Sequence, residues 1–145
     1  LLDKLAQVGL SLLKKTLDKI ENHTQVRTKQ DDSRATFVKL IQKEDALLDF
    51  SCPAQSLVNK VRAFCENPVA FFNLGDDRIK VYKAKVFDNS TNFEIGQVLE
   101  DKKHFLVQAK DGVFEILICQ ASGGKKMDAR SFLNGFRFKT RQVTR

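Results

Sequence analysis

Between Phe105 and Ile118 two apolar runs, Phe105-Leu106-Val107-Gln108-Ala109 and Val113-Phe114-Glu115-Ile116-Leu117-Ile118, stand on either side of Lys110-Asp111-Gly112. Asp-Gly between such runs is a strong short-range hairpin signal. Upstream, Arg78-Ile79-Lys80-Val81 alternates polar and apolar in one phase and Tyr82-Lys83-Ala84-Lys85-Val86 in the other. A phase slip inside one strand is what a β-bulge produces. Strands at this spacing, joined by turns, predict a small antiparallel barrel or sandwich. With 145 residues the chain makes one domain, or one domain plus an appendage.

Helices bracket these strands. Leu2, Leu5, Leu12 or Leu13, Leu17 and Ile20 recur near the 3.6 period, with Lys4, Lys14, Lys15 and Lys19 between them, which predicts a helix over residues 1–21. Leu1, Val8 and Leu10 widen its apolar face beyond what a solvated terminal helix carries, so the helix is expected to have packed on a body that this chain lacks. From Asn22 to Lys43 the sequence is polar and without period, a linker or extended crossing segment. Ser51-Cys52-Pro53 opens a second helix with Pro at its first position, Leu57, Val61 and Phe64 line one face, and Asn67-Pro68 closes it. Met127 to Asn134 reads as a last helix, with Asp128 as N-cap and Gly135 ending it in the left-handed conformation.

Catalytic and metal-binding constellations are missing from the sequence. No G-x-x-x-x-G-K-[ST], G-x-G-x-x-G or H-E-x-x-H occurs. His23 and His104 have no Cys, Asp or His partner at ligand or triad spacing and read as solvated or capping histidines. Asp31-Asp32, Glu44-Asp45 and Asp76-Asp77 read as solvated turn carboxylates. Cys52, Cys65 and Cys119 form no C-x-x-C pair and are expected to be unpaired buried thiols of a cytosolic protein. No apolar run reaches 18 residues, so no membrane span is expected.

The net charge of +7 is unevenly placed. Residues 1–22 carry +1, residues 23–50 carry 0 and residues 51–145 carry +6. A basic barrel points to a polyanionic partner. Lys83 and Lys85 project from one strand face, with Lys80 nearby across the bulge, a spacing that suits a sugar-phosphate backbone as well as a solvated sheet face. Gly123-Gly124-Lys125-Lys126 joins exposed backbone to two cations, a weak phosphate motif. Phe136-Arg137-Phe138-Lys139-Thr140-Arg141 interleaves aromatic and basic residues, as stacking platforms do, but fits a half-buried final strand better.

Several stretches occur in a telling order: Leu2-Asp3-Lys4-Leu5-Ala6 through Gly9, Leu12-Leu13 and Thr16-Leu17; Gln30-Asp31 and Ala35-Thr36; Lys39-Leu40-Ile41 to Lys43-Glu44-Asp45; Asp49-Phe50-Ser51; Ile79-Lys80-Val81-Tyr82-Lys83-Ala84; and Lys125-Lys126-Met127 to Leu133-Asn134-Gly135. Together they resemble the C-terminal part of the methionyl-tRNA formyltransferase family. The chain departs from that pattern at Arg62-Ala63-Phe64-Cys65-Glu66-Asn67-Pro68, which lacks the usual Trp, at Phe50 after Asp49, and at Gly124 in place of a first Lys.

The resemblance implies an α+β fold: a small open antiparallel β-barrel similar to an OB fold, with flanking helices, preceded by a helix and linker. It divides the chain into residues 1–22, the last helix of a catalytic domain lying upstream; residues 23–46, a linker; and residues 47–145, a tRNA-binding barrel. The family transfers a formyl group from 10-formyltetrahydrofolate to the amino group of methionyl initiator tRNA, with folate site and catalytic set in the upstream domain. The resemblance therefore implies an inactive fragment with no cofactor, catalytic or metal site of its own. Its implied tRNA contacts are Lys39, Lys43, Arg62, Lys80, Lys83 and Lys125, and the implied partner is initiator methionyl-tRNA, bound by a cytoplasmic, monomeric intact protein with no membrane partner. Two alternatives stand beside this reading: a related formyltransferase acting on a sugar or nucleotide-sugar amine, and a general polyanion-binding module.

Overall fold

The structure, a computed structural model, describes residues 2–99, 101 and 103–144, so Leu1 of the wide leucine face lies outside the described residues. It divides into two compact units, Leu1–Lys39 and Leu40–Arg145. In the first, α1 spans Leu2–Glu21, with Asp3 in the first turn and Lys19 in the last, each charge complementing the helix dipole. The helix ends where Thr24 N–H donates to Lys19 O and His23 N–H donates to Ile20 O, the paired bonds of a Schellman motif. His23 takes the positive φ of 56° that this motif requires. None of the leucine stripe is buried: Leu2 is 81% exposed and Ile20 50%. Beyond it the chain is extended apart from a single 3-10 turn, Asp32–Arg34, where Asp31 accepts from Ser33 N–H and Ser33 Oγ–H.

The second unit is an antiparallel barrel-like sheet flanked by helices. Its strands are β1 (Phe71–Leu74), β2 (Asp77–Asp88), β3 (Phe105–Gln108), β4 (Val113–Ala121), β5 (Met127–Asp128) and β6 (Val143–Thr144). The sheet order is β3-β4-β2-β1-β6, with β5 pairing the distal half of β4. The sheet curls and stays open between its edge strands, and the segment 96–99 bridges that gap: Leu99 N–H donates to Leu106 O beside β3, and Val143 N–H donates to Gly96 O beside β6. The expected phase slip in β2 is present as register shifts between Val81 and Lys83 and between Lys83 and Ala84. It keeps Ile79 and Val81 buried on one side of the slip and Ala84 and Val86 half-buried on the other. The expected hairpin is also present, Gln108 pairing with Val113. A Cβ on Gly112 would lie 2.6 Å from Asp88 O, so only glycine fits there.

α2 (Ala54–Ala63) buries Ala54, Leu57, Val58 and Val61, one helical face, against the sheet. Pro53 is its N-cap rather than its first helical residue and offers no capping side chain. Asp111 of the hairpin loop supplies the cap instead, its Oδ1 accepting from Ala54 N–H at 2.7 Å. The core is rich in edge-on phenylalanines: Phe50 meets Phe72 at 5.5 Å and Phe114 at 5.6 Å between centroids.

Several sequence expectations give way. Met127 and Asp128 form β5 and not the start of a helix, because they complete the edge of β4 beyond the end of β3. α3 runs Ala129–Gly135, capped by Asp128 as expected, and Gly135 lies inside it without positive φ. Cys52 and Cys65 are exposed, since they flank α2 just before and just after it; only Cys119 is buried. In the tail, Phe136 and Phe138 alternate inward as a half-buried strand would, yet the strand itself forms later, at Val143–Thr144.

Candidate nucleic-acid interface

The outward face of β2 carries Arg78, Lys80, Lys83 and Lys85, all exposed. Without the slip, Lys80 and Lys83, three apart, would face opposite sides; the bulge turns them to the same one. Tyr82 is the extra residue, since Val81 pairs with Cys119 and Lys83 with Ile118. Its hydroxyl donates to Gln120 Oε1 at 2.7 Å, and Gln120 Nε2–H donates to Gly124 O at 2.8 Å. Lys126 Nζ sits 4.1 Å from the centroid of the Tyr82 ring. These contacts tie the Gly-Lys turn to the bulged strand.

The six basic residues expected as RNA contacts are not all brought together. Lys80 lines a small cleft with Arg78 and the turn. Lys83 follows along the same strand, and Lys125 leaves the turn beside Met127, Phe132 and Phe136. Lys43 opens the 3-10 turn Lys43–Ala46, and Arg62 lies on the exposed side of α2; neither lines the cleft. Lys39 belongs to the other unit, where it is exposed. Among the described residues, none of the six forms an ion pair.

Lys85 differs. Its Nζ lies 3.0 Å from Glu115 Oε2, and His104 Nδ1 lies 2.7 Å from Glu115 Oε1, so a carboxylate only 4% exposed is met from both sides. His104 is therefore neither a solvated nor a capping histidine, and it packs against Phe87 at 5.3 Å. The sequence did not single out Arg78, Tyr82 or Gln120. The unpaired position of Tyr82 at the phase slip was the one available signal.

The model of the formyl transferase C-terminal domain matches residues 40–137. Methionyl-tRNA formyltransferase of Lactobacillus johnsonii is 38% identical over 136 residues, 93% of this chain and 43% of that protein. The enzyme of the same name from Latilactobacillus sakei is 39% identical over 137 residues, again 93% of this chain and 43% of the relative. The chain belongs to the formyl transferase C-terminal domain family. It spans less than half the length of these curated relatives. Among solved structures, a substituted variant of HypX from Aquifex aeolicus matches 86% of this chain and 23% of its own with a TM-score of 0.60 at 16% identity, a likeness of fold.

Among the described residues no group of three or more His, Cys, Asp or Glu is placed to hold a metal ion, and no helix is long and apolar enough to cross a membrane. Burial, helped by the charge of Asp128, pushes the Cys119 thiol up to about 12, far from the thiolate a nucleophile needs. The tail phenylalanines are spent on packing: Phe136 stacks on Phe132 at 4.6 Å and Phe138 meets Phe105 edge-on at 5.7 Å. The outward face of β2 from Arg78 to Lys85 is cationic.

Proposed function

We propose that this chain is the tRNA-docking part of a methionyl-tRNA formyltransferase. In this reading residues 1–22 are the last helix of the catalytic domain, residues 23–46 the linker and residues 47–145 the docking barrel. The rest of the protein then supplies the site at which 10-formyltetrahydrofolate donates its formyl group to the methionyl amine of initiator tRNA, in the cytoplasm. The observation that carries the reading is the row of unpaired cations Lys80 and Lys83 on one strand face, with Lys125 in the adjoining turn, on a chain whose relatives bear that name. Point charges along a track hold an RNA backbone without reading base edges. Lys39, Lys43 and Arg62 would be further phosphate contacts, outside this strand face.

The test is binding of the chain to initiator tRNA across a salt series, beside an elongator tRNA and a DNA duplex of similar length. A log–log slope of about −3 to −5, from roughly four to six phosphate contacts, supports docking. No binding of tRNA at low salt, or equal binding of all three nucleic acids, contradicts it.

A further inference from the structure

Beyond the row of point charges lies a seat of defined shape. Arg78 and Lys80, on the outward face of β2, face Gln120, Ala121, Ser122 and Gly123 across a cleft of about 90 Å³, the scale of one phosphate group rather than of a nucleoside. Neither cation is neutralised by a carboxylate among the described residues; the Arg78 guanidinium instead lies 4.4 Å over the Phe71 ring, which fixes it while leaving its charge available. The opposite wall is a tight turn closed by Gly124 N–H donating to Ala121 O at 3.0 Å. A turn closed in this way leaves the two central peptide N–H groups, of Ser122 and Gly123, without an acceptor inside it. Gly123 has φ +72°, and nothing lies within 4 Å of where its Cβ would be, so the turn is open on that side.

We propose that this cleft seats a single phosphate of the RNA backbone. Arg78 and Lys80 balance its charge, and the free N–H groups of the turn donate to its oxygens, as successive peptide N–H groups do in anion-binding concavities. Tyr82 and Gln120 act as positioning residues: their hydrogen bonds to each other and to Gly124 O hold the turn at the strand. The assignment rests on the docking reading and names one subsite within it.

The experiment repeats the initiator tRNA salt series with Arg78→Gln, Arg78→Lys and Tyr82→Phe, each checked by thermal melting. Loss of the Arg78 charge is expected to flatten the slope by about 0.7–0.9 and to weaken binding about fivefold at moderate salt, with Arg78→Lys restoring the slope. Tyr82→Phe keeps the ring and every charge but frees the turn, so affinity falls about threefold while the slope stays unchanged, because peptide dipoles release no counterions. Amide resonances of Ser122 and Gly123 are followed in parallel, titrating with a short RNA duplex and separately with inorganic phosphate. Shifts with RNA below the phosphate concentration that gives the same change support a backbone seat; shifts with inorganic phosphate alone overturn it. A wild-type slope in Arg78→Gln overturns the seat and leaves docking intact, whereas absence of wild-type tRNA binding removes docking and the seat together.

Discussion

Lys83 and Lys85 stand two residues apart on the same face of β2 and look alike in the sequence, but the fold gives them different work. Lys83 lies across from Ile118 and has no acidic partner among the described residues. Lys85 lies across from Glu115, and its ammonium is held against that carboxylate. One charge is left for a partner molecule and the other balances a buried acid of the barrel itself. A count of lysines along a strand thus overstates what is available to a polyanion. What decides is the residue opposite, about thirty positions away in the chain.

Replacing Ile79 and Val81 together by alanine breaks the comparison most severely. Ile79 and Val81 are the two fully buried residues of β2, and they pin to the core the strand on which Lys83 and Lys85 stand. Losing both side chains from the core costs about 3–6 kcal/mol at roughly 1.5–3 for each buried aliphatic side chain. Denaturant unfolding should show a large loss of stability or no cooperative transition, and a near wild-type midpoint would refute their place in the core.

Glu115→Gln makes Lys85 resemble Lys83. Removing the buried charge while keeping the shape is expected to cost about 1–3 kcal/mol in stability, read by the denaturant midpoint. It also frees Lys85, so in the tRNA salt series the slope should steepen by about 0.7–0.9.

The smallest effect comes from Asp128, an acid met by neutral groups instead of a cation. Ser131 N–H and then Ser131 Oγ–H hold its carboxyl below the ordinary 3.8. A carboxyl lowered in the folded state stabilises fully above its unfolded value and loses that contribution as pH falls through the folded one. Wild type should therefore lose slightly more melting temperature between pH 6 and pH 2.5 than Asp128→Asn, whose cap carries no charge; equal losses would contradict the assignment.

The parts of the fold legible in the sequence are those set by neighbours along the chain. The phase slip at Tyr82, the Asp-Gly hairpin, the buried face of α2 and the Asp128 cap each follow from residues within one or two turns of each other. The parts that were not legible depend on distant partners. Asp111 caps α2 from 57 residues away, and no local pattern marks it. Met127 and Asp128 become a strand because the edge of β4 beyond Ile116 needs partners, which a run of helix-compatible residues cannot announce. The candidate site divides in the same way: Lys80 and Lys83 were visible as a charged strand face, whereas the exclusion of Lys85 and the recruitment of Arg78 and Gln120 depend on cross-strand register.

The most direct measurement compares Lys83→Gln with Lys85→Gln, each bound to initiator tRNA across one salt series beside the wild-type chain. If unpaired cations on β2 dock the RNA, Lys83→Gln flattens the log–log slope by about 0.7–0.9 and Lys85→Gln leaves it at the wild-type value. Equal flattening in both variants, or none in either, would contradict the account.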